Sequence, residues 1–208
     1  MKITHLGAKD CVTGSCHLVQ TRPGSPDNVT LMIDCGTAQG DDPVLPFSAF
    51  PAAPGTIDYL FLTHAHIDHI GRVPDLIDAG FDGEIICTHA TRALLLPMLR
   101  DAISFSNRTV NQVRQLETRI DELSWGFELH ETFTLKQGIT FKLSNAGHIL
   151  GSCFILFTFP GTTTERSLSG TLSLSKGLSK GSSKGQTQIT HPSSCPRNRA
   201  SKATPPFL

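Results

Sequence analysis

The sequence predicts an α/β fold, in which apolar strands alternate with amphipathic helices. Runs rich in β-branched and aromatic residues at 29–33, 57–62 and 153–159 indicate buried strands. Apolar residues recur at helical spacing in 67–79, directly after the second of these strands, which indicates a helix that packs against the sheet. Strand and helix therefore follow one another along the first 160 residues.

The first part of the chain predicts three strands and one glycine-containing loop. The strands are expected at 1–6, 16–21 and 29–33, and the loop is Gly7–Ser15. The third strand ends at Asp34, which is followed by Cys35 and Gly36. A carboxylate at a strand end before glycine commonly serves a turn, so this role for Asp34 stays open beside a functional one.

A cluster of metal-binding side chains follows the strand at 57–62. His64, His66, Asp68 and His69 form the pattern H-x-H-x-D-H. Imidazole nitrogen and carboxylate oxygen are ligands that zinc, manganese and iron accept, and a tight turn after a strand points alternate side chains at one spot. The alternative is a polar helix cap with solvated histidines, and the clustering of four potential ligands disfavours it.

Three helices are predicted between this motif and the next group of strands. They are 67–79, with Asp68 and His69 in its first turn and a C-terminal cap at Gly80, then 89–104 and 110–123. The apolar side of the second helix is expected to consist of Leu94, Leu95, Met98 and Leu99. The single tryptophan, Trp125, is expected to pack in the core.

A second informative stretch is residues 145–152, after a hairpin predicted at 133–144. Gly147 and Gly151 allow tight turns on either side of a single histidine, His148. A lone histidine in a loop is ordinarily a buried, hydrogen-bonded residue. Together with the H-x-H-x-D-H motif, however, His148 is interpreted as a further metal ligand.

These motifs resemble those of a known family. The H-x-H-x-D-H stretch is similar to the signature of the metallo-β-lactamase fold hydrolases. Three further segments resemble the RNA-processing β-CASP branch, namely G-A-x-x-x-V-T-G-S at 7–15, G-R-x-P-x-L at 71–76 and A-G-H-x-x-G-S at 146–152. Residues 88–91 also resemble a T-x-A-T segment of that family. The resemblance covers residues 1–160 and implies a four-layer αβ/βα sandwich, of which this chain holds the N-terminal half.

The resemblance also implies a site that holds two divalent metal ions, with zinc expected. His64, His66 and His148 would bind the first ion, and Asp68 and His69 would help to bind the second. Asp34 would hold the histidine-rich loop without ligating a metal, as carboxylates behind metal-bound imidazoles do. In the family, an aspartate bridges both ions where this chain has Thr171 after Ser169 and Gly170, so the second site is expected to be incomplete.

The resemblance ends near residue 160. The insert that names the β-CASP branch and the family's later histidine ligand have no counterpart, so we expect a truncated or frame-altered relative with exposed apolar surface and poor solubility. Residues 1–160 would form a partial domain. Residues 161–208 are rich in Ser, Thr, Gly and Lys and lack apolar periodicity, which predicts a disordered tail.

Charge and composition limit the classes of partner. Residues 161–208 hold seven of the 18 basic and one of the 18 acidic side chains, which leaves residues 1–160 with a net charge of about −6. An acidic body disfavours binding of nucleic acid through bulk charge, so RNA would need a local groove or another domain. The sequence has no apolar run long enough to predict a membrane span, and its first residues lack the apolar core that would predict a signal peptide. The six cysteines include no C-x-x-C pair, which predicts reduced thiols in a cytoplasmic protein.

Three functions remain open. The first is a metal-dependent hydrolase that cleaves RNA phosphodiesters with a hydroxide generated at the metal ions, Asp68 orienting the attacking water or accepting its proton. The second is a catalytically inactive metal-binding fragment, or a partner subunit that binds another protein or a second copy of itself. The third is a metallohydrolase of a thioester or other small ester. RNA is the substrate that the intact family implies, and no membrane partner is expected.

Overall fold

The computed structural model describes residues 1–9, 11–40, 44–104 and 106–160, together with the backbone of residues 166–169. The strands are β1 (Lys2–Gly7), β2 (Cys16–Gln20), β3 (Thr30–Cys35), β4 (Tyr59–Phe61), β5 (Glu84–Thr88), β6 (Ser124–Phe127), β7 (Thr132–Thr134), β8 (Thr140–Asn145), β9 (Cys153–Thr158) and β10 (Arg166–Ser169). The helices are α1 (Ile67–Ile70), α2 (Val73–Asp78), α3 (His89–Ser104) and α4 (Val110–Leu123).

The larger sheet contains six strands in the order of the chain, from β1 to β6. β1, β2 and β3 are antiparallel, whereas β3, β4, β5 and β6 run parallel. Parallel neighbours need crossover connections, and here the crossovers from β4 to β5 and from β5 to β6 carry the four helices. The helices pack against the sheet through a core that includes Leu60, Leu76, Leu95 and Ile120.

The smaller sheet contains four antiparallel strands in the order β10, β9, β8, β7. It packs against the larger sheet through a second core. At the centre of that core, Phe61 makes edge-to-face contacts with Phe141 and Phe157, with ring centroids 5.1 Å and 4.9 Å apart. The described residues thus form three layers, one of helices and two of sheet, which agrees with the N-terminal half of the four-layer sandwich that the resemblance implies.

The two long helices have the predicted bounds. α4 begins with a capping box, in which the Thr109 backbone N–H donates to Gln112 Oε1 at 2.8 Å and the Gln112 N–H donates to Thr109 Oγ1 at 3.4 Å. The buried stripe of α3 consists of Thr91, Leu95, Leu99 and Ile103. The prediction for Met98 was wrong, because this side chain lies beside the stripe and is 41% exposed.

The single helix predicted over 67–79 was also wrong, because the chain forms α1 and α2 with a break at Arg72. In a continuous helix, Arg72 N–H would donate to the Asp68 carbonyl oxygen. Instead it donates to the carbonyl of Cys35 at 2.9 Å, while the Asp68 carbonyl accepts from Ser15 N–H at 2.8 Å. Pro74 has no N–H with which to continue the helix, and it takes an early position in α2. The predicted cap at Gly80 is confirmed, with φ +100°.

Trp125 does not pack in the core, contrary to expectation. It lies on β6, the edge strand of the larger sheet, and is 54% exposed among the described residues. Phe127, two residues further along the same face, contacts Phe133 and Phe141 with ring centroids 4.7 Å and 5.1 Å apart. Aromatic side chains of the second sheet therefore pack against Phe127 at the end of β6, whereas Trp125 stays largely exposed to solvent.

Four cysteines of the described residues lie in the interior, in agreement with the expectation of buried thiols. Cysteines 16, 35, 87 and 153 are free and buried. Burial raises the pKa of Cys87 to about 12, so this thiol is kept protonated. Among the described helices, none combines the length and the apolar character that crossing a bilayer requires. Cys195, Thr171 and the predicted tail at 161–208 lie outside the described residues, apart from the backbone of β10.

Candidate metal centre

Three histidines from two distant parts of the chain meet at one end of the sheets. His64 lies in the turn after β4, His66 is the residue that precedes α1, and His148 lies in the loop between β8 and β9. His64 Nε2 is 3.1 Å from His66 Nδ1, and His148 Nε2 is 3.2 Å from the same atom. One nitrogen of each ring lies within 4.8 Å of the others, so the three side chains could hold one ion.

The spacing of these nitrogens fits a metal ion. Zinc binds imidazole nitrogen at about 2.0–2.1 Å in tetrahedral geometry, which places neighbouring nitrogens about 3.3 Å apart. The two contacts to His66 Nδ1, at 3.1 Å and 3.2 Å, are close to that spacing. Three neutral imidazoles are a donor set for a borderline-soft divalent ion, and the chain's residues therefore fit the group that the sequence implies.

His64 is held in the form that binds metal. Burial first, and then the positive charge of His69, lower its pKa to about 3, so its imidazole stays neutral at physiological pH. Its Nδ1 lies 3.1 Å from Thr63 Oγ1, which can accept the Nδ1 proton. This leaves Nε2, the nitrogen that faces the other two histidines, with a free lone pair.

Asp34 lies behind the histidine-rich turn and is completely buried. Its carboxylate accepts hydrogen bonds from Thr63 N–H at 2.9 Å, from Thr63 Oγ1 at 2.9 Å, from Ser15 Oγ at 3.1 Å and from His69 Nδ1 at 2.7 Å. Asp34 itself adopts φ +57°, a left-handed conformation that aspartate tolerates better than most residues. Asp34 therefore lies near the end of β3, where the sequence left a turn role open, and also accepts hydrogen bonds from Thr63, at the start of the metal-binding motif.

Asp34 and His69 stabilise one another as a buried ion pair. Burial alone would raise the pKa of Asp34, but the charge of His69 and hydrogen bonds from His69 and Thr63 hold that pKa below its usual value. Burial alone would lower the pKa of His69, but the charge and hydrogen bond of Asp34, helped by Asp68, hold it above its usual value. Both shifts favour the charged forms of the pair. To bind a metal ion through Nε2, His69 would release the proton on that nitrogen and keep the Nδ1 proton that Asp34 accepts.

Asp68 and His69 lie beside the three histidines, on α1. With Nδ1 of His69 directed to Asp34, its Nε2 faces Asp68 Oδ2 at 3.7 Å. The rings of His64 and His69 have centroids 4.0 Å apart. The structure therefore brings all five sequence-predicted ligand residues into one neighbourhood, with the three-nitrogen cluster on one side and the Asp68–His69 pair on the other.

Gly36 permits the close approach of β3 to this turn. A Cβ at this position would collide with the carbonyl oxygen of Asp68 and with its neighbours on the backbone. We expect Gly36→Ala to lower the free energy of unfolding by about 1–3 kcal/mol, because a backbone cannot yield as a flexible side chain does. Chemical denaturation of Gly36→Ala and of the unsubstituted chain measures this difference in the free energy of unfolding.

Gly55→Ala is a suitable control for Gly36→Ala. The added Cβ would meet one atom, the carbonyl oxygen of Gly80, at 3.1 Å, so we expect a much smaller loss. Equal denaturation midpoints for Gly36→Ala and the unsubstituted chain would show that β3 does not press against the turn as described.

The loop that carries His148 is held by polar contacts within itself and to the first motif. Ser152 Oγ accepts the backbone N–H groups of His148 at 3.0 Å and Ile149 at 3.1 Å. At the end of the loop, Cys153 N–H donates to the carbonyl oxygen of Thr63 at 2.9 Å. This last bond joins the second sheet directly to the turn that carries His64.

Ser15 and Thr63 are site residues that the sequence did not single out. Both are completely buried, and both donate to Asp34. A signal was available for Thr63, whose hydroxyl follows a buried strand directly before His64. That signal becomes specific only when the partner carboxylate is known.

A cleft opens beside His148. Its volume is about 470 Å³, and its lining includes Phe127, Glu128, His148 and Leu150. At its exposed wall, His89 Nε2 lies 3.6 Å from Glu128 Oε1. A substrate that reaches the three histidines from this side would lie against both polar and apolar groups.

Comparison with known proteins gives one family match and a consistent set of relatives. Residues 10–164 match the model of the metallo-beta-lactamase superfamily. The chain is 31% identical over 163 residues to Ribonuclease TTHA0252 of Thermus thermophilus, which covers 78% of this chain and 36% of the relative. It is 33% identical over 164 residues to Transcription termination factor FttA of Methanothermobacter thermautotrophicus, covering 73% and 24%.

A relative from an animal and a solved structure extend the comparison. Cleavage and polyadenylation specificity factor 73 of Drosophila melanogaster is 31% identical over 169 residues, covering 77% of this chain and 23% of the relative. A metallo-beta-lactamase structure from Cronobacter sakazakii superposes with a TM-score of 0.52 and 17% identity, over 80% of this chain and 60% of that one, which supports the fold alone. The chain thus spans between about a quarter and a third of these curated relatives' length.

Proposed function

This chain belongs to the metallo-beta-lactamase superfamily, and from that premise we propose that it contributes the metal-binding part of a nuclease that cleaves RNA phosphodiesters. The observation that carries the proposal is the cluster of His64, His66 and His148, whose nitrogens are spaced for one divalent ion. Relatives named as a ribonuclease and as a cleavage and polyadenylation factor support RNA as the substrate class. Zinc is the proposed metal, because imidazole-rich tetrahedral sites suit it.

In the proposed centre, each residue has a separate task. His64, His66 and His148 would hold the first ion, and Asp68 with His69 would contribute to the second. When bound, divalent ions at such a site lower the pKa of water and neutralise charge that develops on a phosphate. Asp34 holds the Nδ1 proton of His69 and so presents the Nε2 of that ring towards Asp68.

Asp68 is the proposed group that orients the attacking water or accepts its proton. Its side chain is 23% exposed, and its Oδ2 lies near His69 Nε2 at 3.7 Å. Its backbone is fixed by the Ser15 N–H bond to its carbonyl oxygen at 2.8 Å. A carboxylate on a fixed backbone, open to solvent and next to the histidine cluster, is suited to this work.

RNA is preferred over a thioester or another small ester because of the relatives' names and the form of the site. The cleft beside His148 is open rather than a closed pocket for one small molecule, and Phe127 and Leu150 in its lining offer apolar contacts. The body carries a net negative charge, so attraction of RNA would depend on the metal ions and on further parts of the assembly, such as a protein partner. The free thiols support the proposal of a cytoplasmic location.

The test is cleavage of a single-stranded RNA oligonucleotide by the zinc-loaded chain and by Asp68→Asn. We expect the substitution to reduce the rate of cleavage by about 100-fold or more, because a proton acceptor in the transition state contributes that much. Asp75→Asn is the control, since Asp75 is an exposed carboxylate of α2 that pairs with Arg108 on the surface. Hydrolysis of a thioester but not of RNA would refute the proposed substrate class.

A second candidate function is metal binding without turnover. It is favoured by Thr171, a neutral hydroxyl where the resemblance implies a bridging carboxylate. The RNA experiment separates the two candidates, because a chain that binds zinc through its histidines but leaves RNA intact would be a metal-binding partner subunit rather than a nuclease.

A further inference from the structure

We propose that Thr88 and Thr91 are positioning residues that fix His148 in the metal centre by holding the carbonyl oxygen of Gly151. The inference rests on the proposed metal site, because it concerns how one of its ligands is brought to the other two. Neither threonine has a hydrogen bond to a histidine of the cluster among the described residues. They act through the loop between β8 and β9.

The contact consists of two buried hydroxyls and one carbonyl oxygen. Thr88 Oγ1 donates to the Gly151 oxygen at 2.8 Å, and Thr91 Oγ1 donates to the same oxygen at 3.0 Å. A carbonyl oxygen has two lone pairs and can accept both bonds. The relative exposures of Thr88 and Thr91 are 3% and 0%, so these bonds do not compete with bulk water.

The two threonines are themselves held in place. Thr88 ends β5, and Thr91 lies in the first turn of α3. The backbone N–H of Thr91 donates to Thr88 Oγ1 at 3.2 Å, which joins the strand end to the helix start. The carbonyl of Gly151 therefore meets a rigid corner of the larger sheet rather than a mobile side chain.

Gly151 is the residue that permits this approach. It adopts φ +82°, and a Cβ there would meet the Thr91 nitrogen and hydroxyl at 2.7 Å and the Thr88 hydroxyl at 2.9 Å. The next residue, Ser152, accepts the backbone N–H of His148 at 3.0 Å. The corner, the glycine carbonyl and the serine hydroxyl thus form a continuous connection from the larger sheet to the histidine.

His148 needs such a connection more than the other two histidines do. His64 and His66 are carried by the turn between β4 and α1, whereas His148 is on an exposed loop of the second sheet. The distance between His148 Nε2 and His66 Nδ1, 3.2 Å, depends on how the loop is fixed relative to that turn. Loss of the two hydroxyls would leave the bond from Cys153 N–H to Thr63 O as the main polar link between the loop and the larger sheet among the described residues.

The experiment compares zinc affinity in the full chain and in Thr88→Val/Thr91→Val, measured by competition with a chromophoric chelator. Valine keeps the shape of threonine and removes the hydroxyl. We expect the affinity to fall about tenfold, as for other groups that orient a metal ligand. In the double valine variant, the absorption bands of Co²⁺ bound in place of zinc should also change. The Thr88→Ser/Thr91→Ser variant keeps both hydroxyls, so its zinc affinity and its Co²⁺ bands should match those of the unsubstituted chain.

Thr30→Val is the matched control. Thr30 is also 3% exposed and accepts a hydrogen bond from Asn28 Nδ2 at 2.9 Å, but it lies on β3 and makes no bond to the loop. This variant should show reduced stability at most, with zinc affinity unchanged. If it lost as much affinity as the double valine variant, the effect would be general destabilisation and the proposal would be overturned.

Amide hydrogen exchange of residues 146–152 without added zinc gives a second, metal-independent readout. We expect several-fold faster exchange in the double valine variant. If that variant does not fold, the same measurement is made on the single Thr88→Val variant, which keeps the Thr91 bond. Unchanged exchange together with unchanged affinity would overturn the inference. Failure of the unsubstituted chain to bind zinc would refute the proposed function, while exchange would still decide whether the threonines hold the loop.

Discussion

His64→Ala is expected to lower the zinc affinity of this chain by about 100- to 1000-fold. Structural zinc sites with four ligands are worth about 10–16 kcal/mol, so each ligand accounts for about 3–4 kcal/mol, which is two to three powers of ten in affinity. His64 is a strong candidate for a large effect, because burial keeps its pKa at about 3 and its imidazole is neutral before any ion arrives. Elemental analysis after dialysis and chelator competition measure the change.

Two further variants make that result interpretable. His148→Ala removes a ligand from an exposed loop, where folding is affected least, and should lose a similar amount of affinity. His89→Ala removes a 62% exposed imidazole that pairs with Glu128, and should bind zinc as the unsubstituted chain does. Equal zinc affinity in the unsubstituted chain and in the His64→Ala, His148→Ala and His89→Ala variants would mean that the three nitrogens do not bind the metal.

Asp34→Ala is expected to lower the free energy of unfolding by about 3–5 kcal/mol, because it removes one partner of a buried ion pair and leaves the other unpaired. The His69 ring would lose its 2.7 Å bond, and the Thr63 N–H would lose its acceptor. Alanine would also have to adopt the φ of +57° that Asp34 holds, which adds strain. Urea or guanidinium denaturation measures the total.

Asp34→Asn and Ser15→Ala divide this effect into its parts. Asparagine tolerates the left-handed backbone and keeps an acceptor for the Thr63 N–H, so its loss should be smaller and should reflect the missing charge. Ser15→Ala removes one neutral donor to Asp34 and should cost about 1 kcal/mol. If Asp34→Ala were no more destabilising than Ser15→Ala, the ion pair would contribute little to the fold.

The parallel half of the larger sheet explains why residues about 30 positions apart meet at this site. Ile33 of β3 is paired with Phe61 of the parallel strand β4, so both strands end at the same edge. Asp34 comes next on one strand, and Thr63 and His64 follow shortly on the other. Side chains that follow the carboxyl ends of neighbouring parallel strands converge, as they do in other α/β folds.

The sequence by itself determined the types and the local order of the elements and the identity of the candidate ligands. Helices α3 and α4 have the predicted bounds because apolar spacing and a capping sequence are local properties of the chain. The ligand residues were found in the same way, because H-x-H-x-D-H and the glycine-flanked His148 are contiguous patterns. Their roles in metal binding remain predictions.

Tertiary structure alone decided how these pieces are joined. The helix predicted over 67–79 breaks because Arg72 N–H and the Asp68 carbonyl, which would bond in a helix, are bonded to Cys35 and Ser15 instead. Such partners lie more than 30 residues away and leave no trace in local periodicity. The exposure of Trp125 and the hydrogen bond from Thr88 to Gly151 could not be predicted for the same reason, since sheet edges and contacts between two sheets exist only after the chain has folded.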